Sequence, residues 1–237
     1  MTPALLAAVL SRPPWPMLGL ASLSGWLALA SSHHARLLPQ ICSVPAGSGF
    51  DLRTVEDALS INTAAGLVLS WLAMLLAMMP LLLSQPVMHL WRRSLARRRG
   101  WAIAAFLAVY SLVWMLAGPV LLALAVMLRM VGQGSEALAI TLAGLIALAW
   151  RTCPAQQICL NRCHVLPRLS PFSFAADRDC LGFGFRTGMW CVGACWPLML
   201  LPLAADTLHL PLMAVVTLLA LKDRVAPTRA PGWLKLS

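Results

Sequence analysis

Apolar residues fall in six long runs, at residues 16–30, 61–83, 101–126, 137–150, 187–204 and 208–221. Polar, proline-rich or arginine-rich stretches separate them. A helix that crosses the hydrocarbon core of a bilayer needs about 20 apolar residues, or roughly 17 at the short end. The second and third runs meet this alone, and the first, fourth and sixth do so by borrowing flanking residues. The pattern predicts an all-α fold: a polytopic membrane helix bundle with about six transmembrane helices. Residues 1–237 form one integral membrane domain, because no soluble insert, Gly/Ser linker or internal repeat divides them.

The connecting stretches carry their own signals. The segment 31–60 contains Pro39, Pro45, Gly47 and Gly49, which predicts an irregular start. A short helix over 51–60 follows, with Asp51 as its N-cap. The segment 151–186 is the longest polar one. Its residues 154–163 read as a short helix opened by Pro154 and ended by Pro167 and Pro171. Pro80 and Pro197 sit inside the second and fifth runs, where each removes a backbone donor and is expected to bend or break the helix. In lipid such a break is tolerated only where protein or a cavity covers the freed carbonyls.

Composition agrees with the pattern. Hydrophobic residues make up 60% and charged residues 11% of the chain, against roughly 25% charged in soluble domains. The net charge of +10 would suggest nucleic acid in a soluble protein, so its placement decides. With the N-terminus inside, fifteen of the eighteen Lys and Arg fall in cytoplasmic parts, and only Arg36, Arg53 and Arg129 fall outside. The positive-inside rule therefore sets both termini in the cytoplasm. The basic patches are topogenic, with anionic lipid heads as secondary partners, and nucleic acid has no support. A rival reading takes the first run as a secretory signal cleaved after Ala28-Leu29-Ala30. It would leave five spans, and the Trp and Pro content of the run speaks against it.

Cysteine placement then narrows the chemistry. Of seven cysteines, only Cys42 would face the oxidising side, so a disulfide framework is not expected. Cys159 and Cys163 are spaced i,i+4, as are Cys191 and Cys195, so each pair shares one helix face. Met74, Met78 and Met79 form a third soft cluster. The second run descends and the fifth ascends, which places the Met cluster and Cys191 and Cys195 at a shared depth in the inner half, at about 1.5 Å per residue. Thiolate and thioether groups select soft metals. The plainer alternatives are packing roles, with Met as a flexible filler and free Cys as a small buried apolar group.

Other candidates carry less. Cys153 and Cys180 have no partner in the sequence and read as structural. His164 follows Cys163 and reads as a solvated loop side chain, with a ligand role as the alternative. His33 and His34 with Cys42 form an alternative outer site, while His89 and His209 read as interfacial. Asp206 and Asp223 lie at the ends of runs, so a proton pump or a charged ion pathway is disfavoured. No nucleophile–base set or P-loop occurs, and Gly182-Phe183-Gly184 is not a nucleotide fingerprint. An enzyme is not expected.

The motifs together resemble a known family. The run Trp71-Leu-Ala-Met74-Leu-Leu-Ala77-Met78-Met79-Pro80 is similar to the signature second span of the DUF2182 family, the predicted metal-binding integral membrane proteins of bacteria. Pro154, Cys159-Leu160, Cys163, Gly184, Gly188, Cys191, Gly193, Cys195-Trp196, Met199, Met213 and Asp223-Arg224 continue the likeness. It covers residues from about 60 to 225. Where that family tends to have two adjacent cysteines before the tryptophan, this chain has Ala194-Cys195. The resemblance implies a bacterial inner-membrane protein that binds metal. The donor types make that metal soft, with Cu(I) first.

The leading reading is thus metal handling or delivery, with Met74, Met78, Met79, Cys191 and Cys195 as the metal set. Cys159 and Cys163 would serve as a cytoplasmic acquisition site, and a metal donor or acceptor protein is the implied partner. A second reading is a structural or assembly subunit in which Gly184, Gly188 and Gly193 permit close helix approach. A third is a thiol oxidoreductase using Cys159 and Cys163. The charge distribution generates a direct test: reporter fusions after Arg99 and after Lys235 read as cytoplasmic, and fusions within 31–60 read as periplasmic. A periplasmic C-terminus overturns the six-span arrangement.

Overall fold

A computed structural model describes residues 14–35, 64–170 and 173–232. Every regular element among them is helical. The helices are α1 (Trp15–Ala35), α2 (Ala64–Leu82), α3 (Ser84–Arg93), α4 (Arg99–Val131), α5 (Glu136–Thr152), α6 (Pro154–Cys163), α7 (Ser173–Ala204) and α8 (His209–Val225). A single 3-10 turn, Ala96–Arg98, links α3 to α4. The expected helix at 51–60, Cys42, and the side chains of His33 and His34 lie outside the described residues.

Helices α4 and α7 form the centre and run parallel. Their contacts advance in step: Arg98 pairs with Asp177 at 2.7 Å, and Arg129 Nε donates to the Ala204 carbonyl at 3.1 Å. Between these ends the backbones almost touch. A Cβ on Gly184 would lie 2.6 Å from the Phe106 carbonyl oxygen, and one on Gly188 would lie 3.0 Å from Val113. Small residues that admit a neighbouring helix are what interfaces need when lipid removes the hydrophobic drive between helices.

Helices α5 and α8 run antiparallel to α7. The Glu136 carboxylate, in the first turn of α5, accepts from the Asp206 and Thr207 amides and the Thr207 hydroxyl. At the other end of α5, Trp150 reaches Gly193, and Arg151 pairs with Asp223 of α8 at 2.9 Å. The charged ends are therefore unequal. Arg98, Arg151, Arg162, Lys222 and Arg224 gather with α3 and α6 at one end, while Arg129 and Glu136 mark the other.

The prolines behave differently from expectation. Helix α2 continues through Pro80 to Leu82, and α7 continues through Pro197 and Pro202 to Ala204. The freed carbonyls explain this. Pro197 leaves Gly193 without its helical donor, and the Trp150 indole N–H takes that carbonyl at 3.0 Å. Pro80 leaves Leu76 likewise. There Gly25 brings α1 against the Leu76–Ala77 backbone, and the Ser22 hydroxyl donates to the Ala77 carbonyl at 2.6 Å. At Pro197 a side chain from a neighbouring helix does what water cannot do in an apolar interior, and at Pro80 the backbone of α1 covers the freed carbonyl.

Two expected loops are largely helical. The arginine-rich stretch 84–100 contains α3, which buries Pro86, Val87 and Leu90 and exposes its arginines. The stretch 151–186 holds α6, then a short extended segment, then the first turns of α7. Helix α6 opens on Pro154 as expected, but it closes at Cys163, four residues before Pro167.

Three described helices are long and apolar enough to cross a membrane. A fourth is reached if α5 and α6, bent by 73°, count as one span. The six expected spans are not all reached. Helix α8 has 17 residues, and α1 ends on the polar Ser31-Ser32-His33-His34.

The near-contact of α4 and α7 yields a prediction. Gly184→Leu forces the helices apart and lowers stability by about 1–3 kcal/mol or more, read as a lower thermal midpoint in detergent. Gly182→Leu, with nothing within 4 Å of its Cβ position, leaves the midpoint near wild type. Equal effects would show that the close approach carries no weight.

Candidate metal centre

The close packing of α4 and α7 brings Cys191 to the Tyr110 phenol, which also meets a sulfur of α2. Tyr110 of α4 is buried, and its oxygen lies 3.2 Å from Met79 Sδ of α2 and 3.2 Å from Cys191 Sγ of α7. A phenol has one proton, a thioether only accepts, and a thiol can donate weakly. The Tyr110 hydroxyl is thus a donor to either Met79 Sδ or Cys191 Sγ, one at a time. Cys191 is wholly inaccessible, and Cys195, one helical turn further along α7, is buried as well. Met79, Cys191 and Cys195 thus form a group of soft atoms in a dry interior.

Helix α6 closes this group from one end of the bundle. Cys163, its last residue, is buried, and its carbonyl accepts from Arg224 Nη1 at 3.3 Å. The next residue, His164, has Nε2 3.0 Å from the Arg224 carbonyl and Nδ1 2.8 Å from the Leu160 carbonyl. Asn161 donates to the Arg229 carbonyl at 2.7 Å. On its other side α6 rests on α7: Cys159 Sγ fills the space left by Gly193, where a Cβ would lie 2.9 Å away, and the Arg162 guanidinium sits 5.8 Å from the Trp190 ring centre. The bend after Cys153 is what lays α6 across the ends of α7 and α8.

The sequence-derived candidates therefore separate. Met79 and Cys191 come together at Tyr110, with Cys195 one turn along α7, while Cys163 is buried at the end of α6, where its carbonyl meets Arg224. Met74 and Met78 are buried in the same core, but Tyr110 reaches the sulfur of Met79 and not theirs. Cys159 is half-buried and faces Gly193. Of the expected cytoplasmic acquisition pair, Cys163 is buried and Cys159 keeps partial access to solvent. His164 is no solvated loop residue, because both its ring nitrogens face backbone carbonyls. Cys180 is buried away from this group, near Asp177 and Asp179.

Two residues of the site were not picked out as such by the sequence. Tyr110 is the only tyrosine in the chain, a lone hydroxyl in an apolar run. Arg224 closes the last helix, next to Asp223, and counts as one more topogenic charge in the sequence. In the structure it is only 8% exposed, and its Nη2 is buried without a hydrogen-bond partner. A polar residue inside an apolar run, or at its very end, was the available signal for both.

What the group can do follows from its donors. Among the described residues, no three side chains of His, Cys, Asp and Glu gather as a metal cage. Two thiols and a thioether instead suit a soft ion of low coordination number. Neither a curated protein nor a solved structure shows significant similarity to the chain. The family model described as PpoB2, copper chaperone, matches residues 68–235. That interval runs from α2 through α8 and nearly coincides with the DUF2182-like stretch; it supports the expected link to copper, and it names a copper chaperone family where DUF2182 was expected. The chain belongs to the PpoB2 copper chaperone family.

Proposed function

We propose that this protein is an integral protein of the bacterial inner membrane that holds Cu(I) for delivery to a partner and does no catalysis. Both termini face the cytoplasm, which puts the arginine-rich end of the bundle on the inner side as the positive-inside rule requires. The lipid-facing surface is that of a membrane protein: Leu112, Leu116, Val120 and Leu218 are all exposed apolar side chains.

Cys191 and Cys195 would bind the ion as thiolates, with Met79 as the third soft donor. The observation that carries this reading is the Tyr110 hydroxyl standing between Met79 and Cys191. It brings sulfurs from α2 and α7 to one point, where packing alone would need neither hydroxyl nor thiol. Once Cys191 has given its proton to solvent and bound the ion, the phenol O–H turns to the charged sulfur, the stronger acceptor. Met79 Sδ is then released for the metal. Cys163 and Cys159, on α6, mark the route between this interior point and the cytoplasmic surface, where a donor or acceptor protein would dock. Met74 and Met78 line the adjoining core.

Protein purified under reducing conditions and loaded with Cu(I) is expected to hold about one copper per chain, as thiolate and thioether donors favour. Cys191→Ser with Cys195→Ser lowers that value sharply, and Met79→Leu lowers it less, while Cys180→Ser leaves it unchanged. Because Tyr110 is the sole tyrosine, ring-labelled tyrosine gives a single carbon resonance. It shifts on copper loading in wild type and stays fixed in the double serine variant. Wild-type protein without bound copper, or copper retained in the double variant, overturns the assignment.

A further inference from the structure

Among the described residues, no carboxylate pairs with Arg224. Of the five acidic residues described, Glu136 caps the 206–208 turn, and Asp206 lies at that same far end. Asp177 pairs with Arg98, Asp179 accepts from the Ser170 amide, and Asp223 pairs with Arg151. The guanidinium of Arg224 is nonetheless buried. One nitrogen donates to the Cys163 carbonyl and the other has no partner. Its charge acts on Cys191, Cys163, Tyr110 and Cys195. An isolated buried cation is costly unless something of opposite sign comes to it.

Resting on the copper-holding role above, we propose that Arg224 is the residue that makes this site specific for a monovalent ion. Two cysteine thiolates around a monovalent cation carry a net charge of minus one, which the guanidinium brings to zero. The same thiolates around a divalent cation are neutral, and Arg224 then stands as an uncompensated buried charge. Softness of the donors cannot make this distinction, because thiolates hold Zn²⁺ as readily as Cu(I). Charge balance in a low-dielectric interior can. The orphaned Nη2 is the mark of a site completed only by an anionic centre.

The placement of Arg224 fits this role. It sits at the end of α8, tied to α6 on both sides by its own carbonyl and by its Nη1, so the guanidinium cannot swing to solvent without undoing the α6 contact. It need not touch the ion. It is a specificity-determining residue acting through the field at the thiolates.

The test uses the full-length protein in nanodiscs and measures Cu(I), Ag(I) and Zn(II) binding by chelator competition in wild type, Arg224→Gln and Arg224→Lys. Wild type binds Cu(I) and Ag(I) and takes up little Zn(II). Arg224→Gln weakens both monovalent ions by at least about 30-fold, as loss of one member of a buried charge pair does, while Zn(II) binding is unchanged or stronger. Arg224→Lys keeps the wild-type preference. Equal weakening of all three ions in Arg224→Gln, or an unchanged ratio, overturns the proposal and leaves the copper role standing. Should Arg224→Gln fail to fold, wild type and Arg224→Lys decide: Zn(II) bound at Cys191 and Cys195 as tightly as Ag(I) overturns it. Wild-type protein that binds none of the three overturns the copper role, and this inference with it.

Discussion

The approach of α7 to α4 at Gly184 and Gly188 is the constraint on which the rest of the structure depends. A Cβ at Gly184 would meet the Phe106 carbonyl, so the two backbones share a register that no larger residue permits. From that register Cys191 arrives beside Tyr110, three to four residues beyond Phe106 and Gly188 on their respective helices. The parallel direction of α4 and α7 leaves α5 to return between them and α6 to cross at the end. Close backbone approach is a general device where lipid supplies no hydrophobic drive for helix association. Here it also sets the positions of the sulfurs.

A second theme is the replacement of backbone donors lost at proline. Trp150 places its indole N–H on the Gly193 carbonyl that Pro197 frees, while Ser22 adds a bond to the Ala77 carbonyl, next to the one that Pro80 frees. These bonds hold α5 to α7 and α1 to α2 at the levels of Cys195 and Met79. The prolines therefore do not loosen the site. They oblige neighbouring helices to supply polar contacts next to it, and an unmet carbonyl in an apolar interior is costly.

The metal-holding and packing interpretations, set against one another by the sequence, describe different residues. Gly184, Gly188 and Gly193 admit neighbouring helices and Cys159, as packing groups do. Cys191, Cys195, Met79, Tyr110 and Arg224 are a polarisable and charged set in a dry place, where simple apolar side chains would pack at lower cost. Membership of a copper chaperone family agrees with the use proposed for that set.

The chain by itself determined the all-α class, the one-sided arginines and the helix at Pro154–Cys163, because these follow from local hydropathy, charge and proline geometry. It also determined that the donors are soft, since residue type sets donor chemistry. It could not select Met79 over Met74 and Met78, because i,i+4 spacing places residues on a face without saying which face meets which neighbour. Nor could it show that α2 and α7 continue through Pro80 and Pro197, since that depends on the cover that α1 brings at Gly25 and on the Trp150 donor, 43 residues from Gly193 in sequence. Tyr110 and Arg224 were visible only as a lone hydroxyl and a terminal charge. Their roles arise from contacts 31 to 81 residues apart along the chain, which only the packing of α2, α4, α6, α7 and α8 creates.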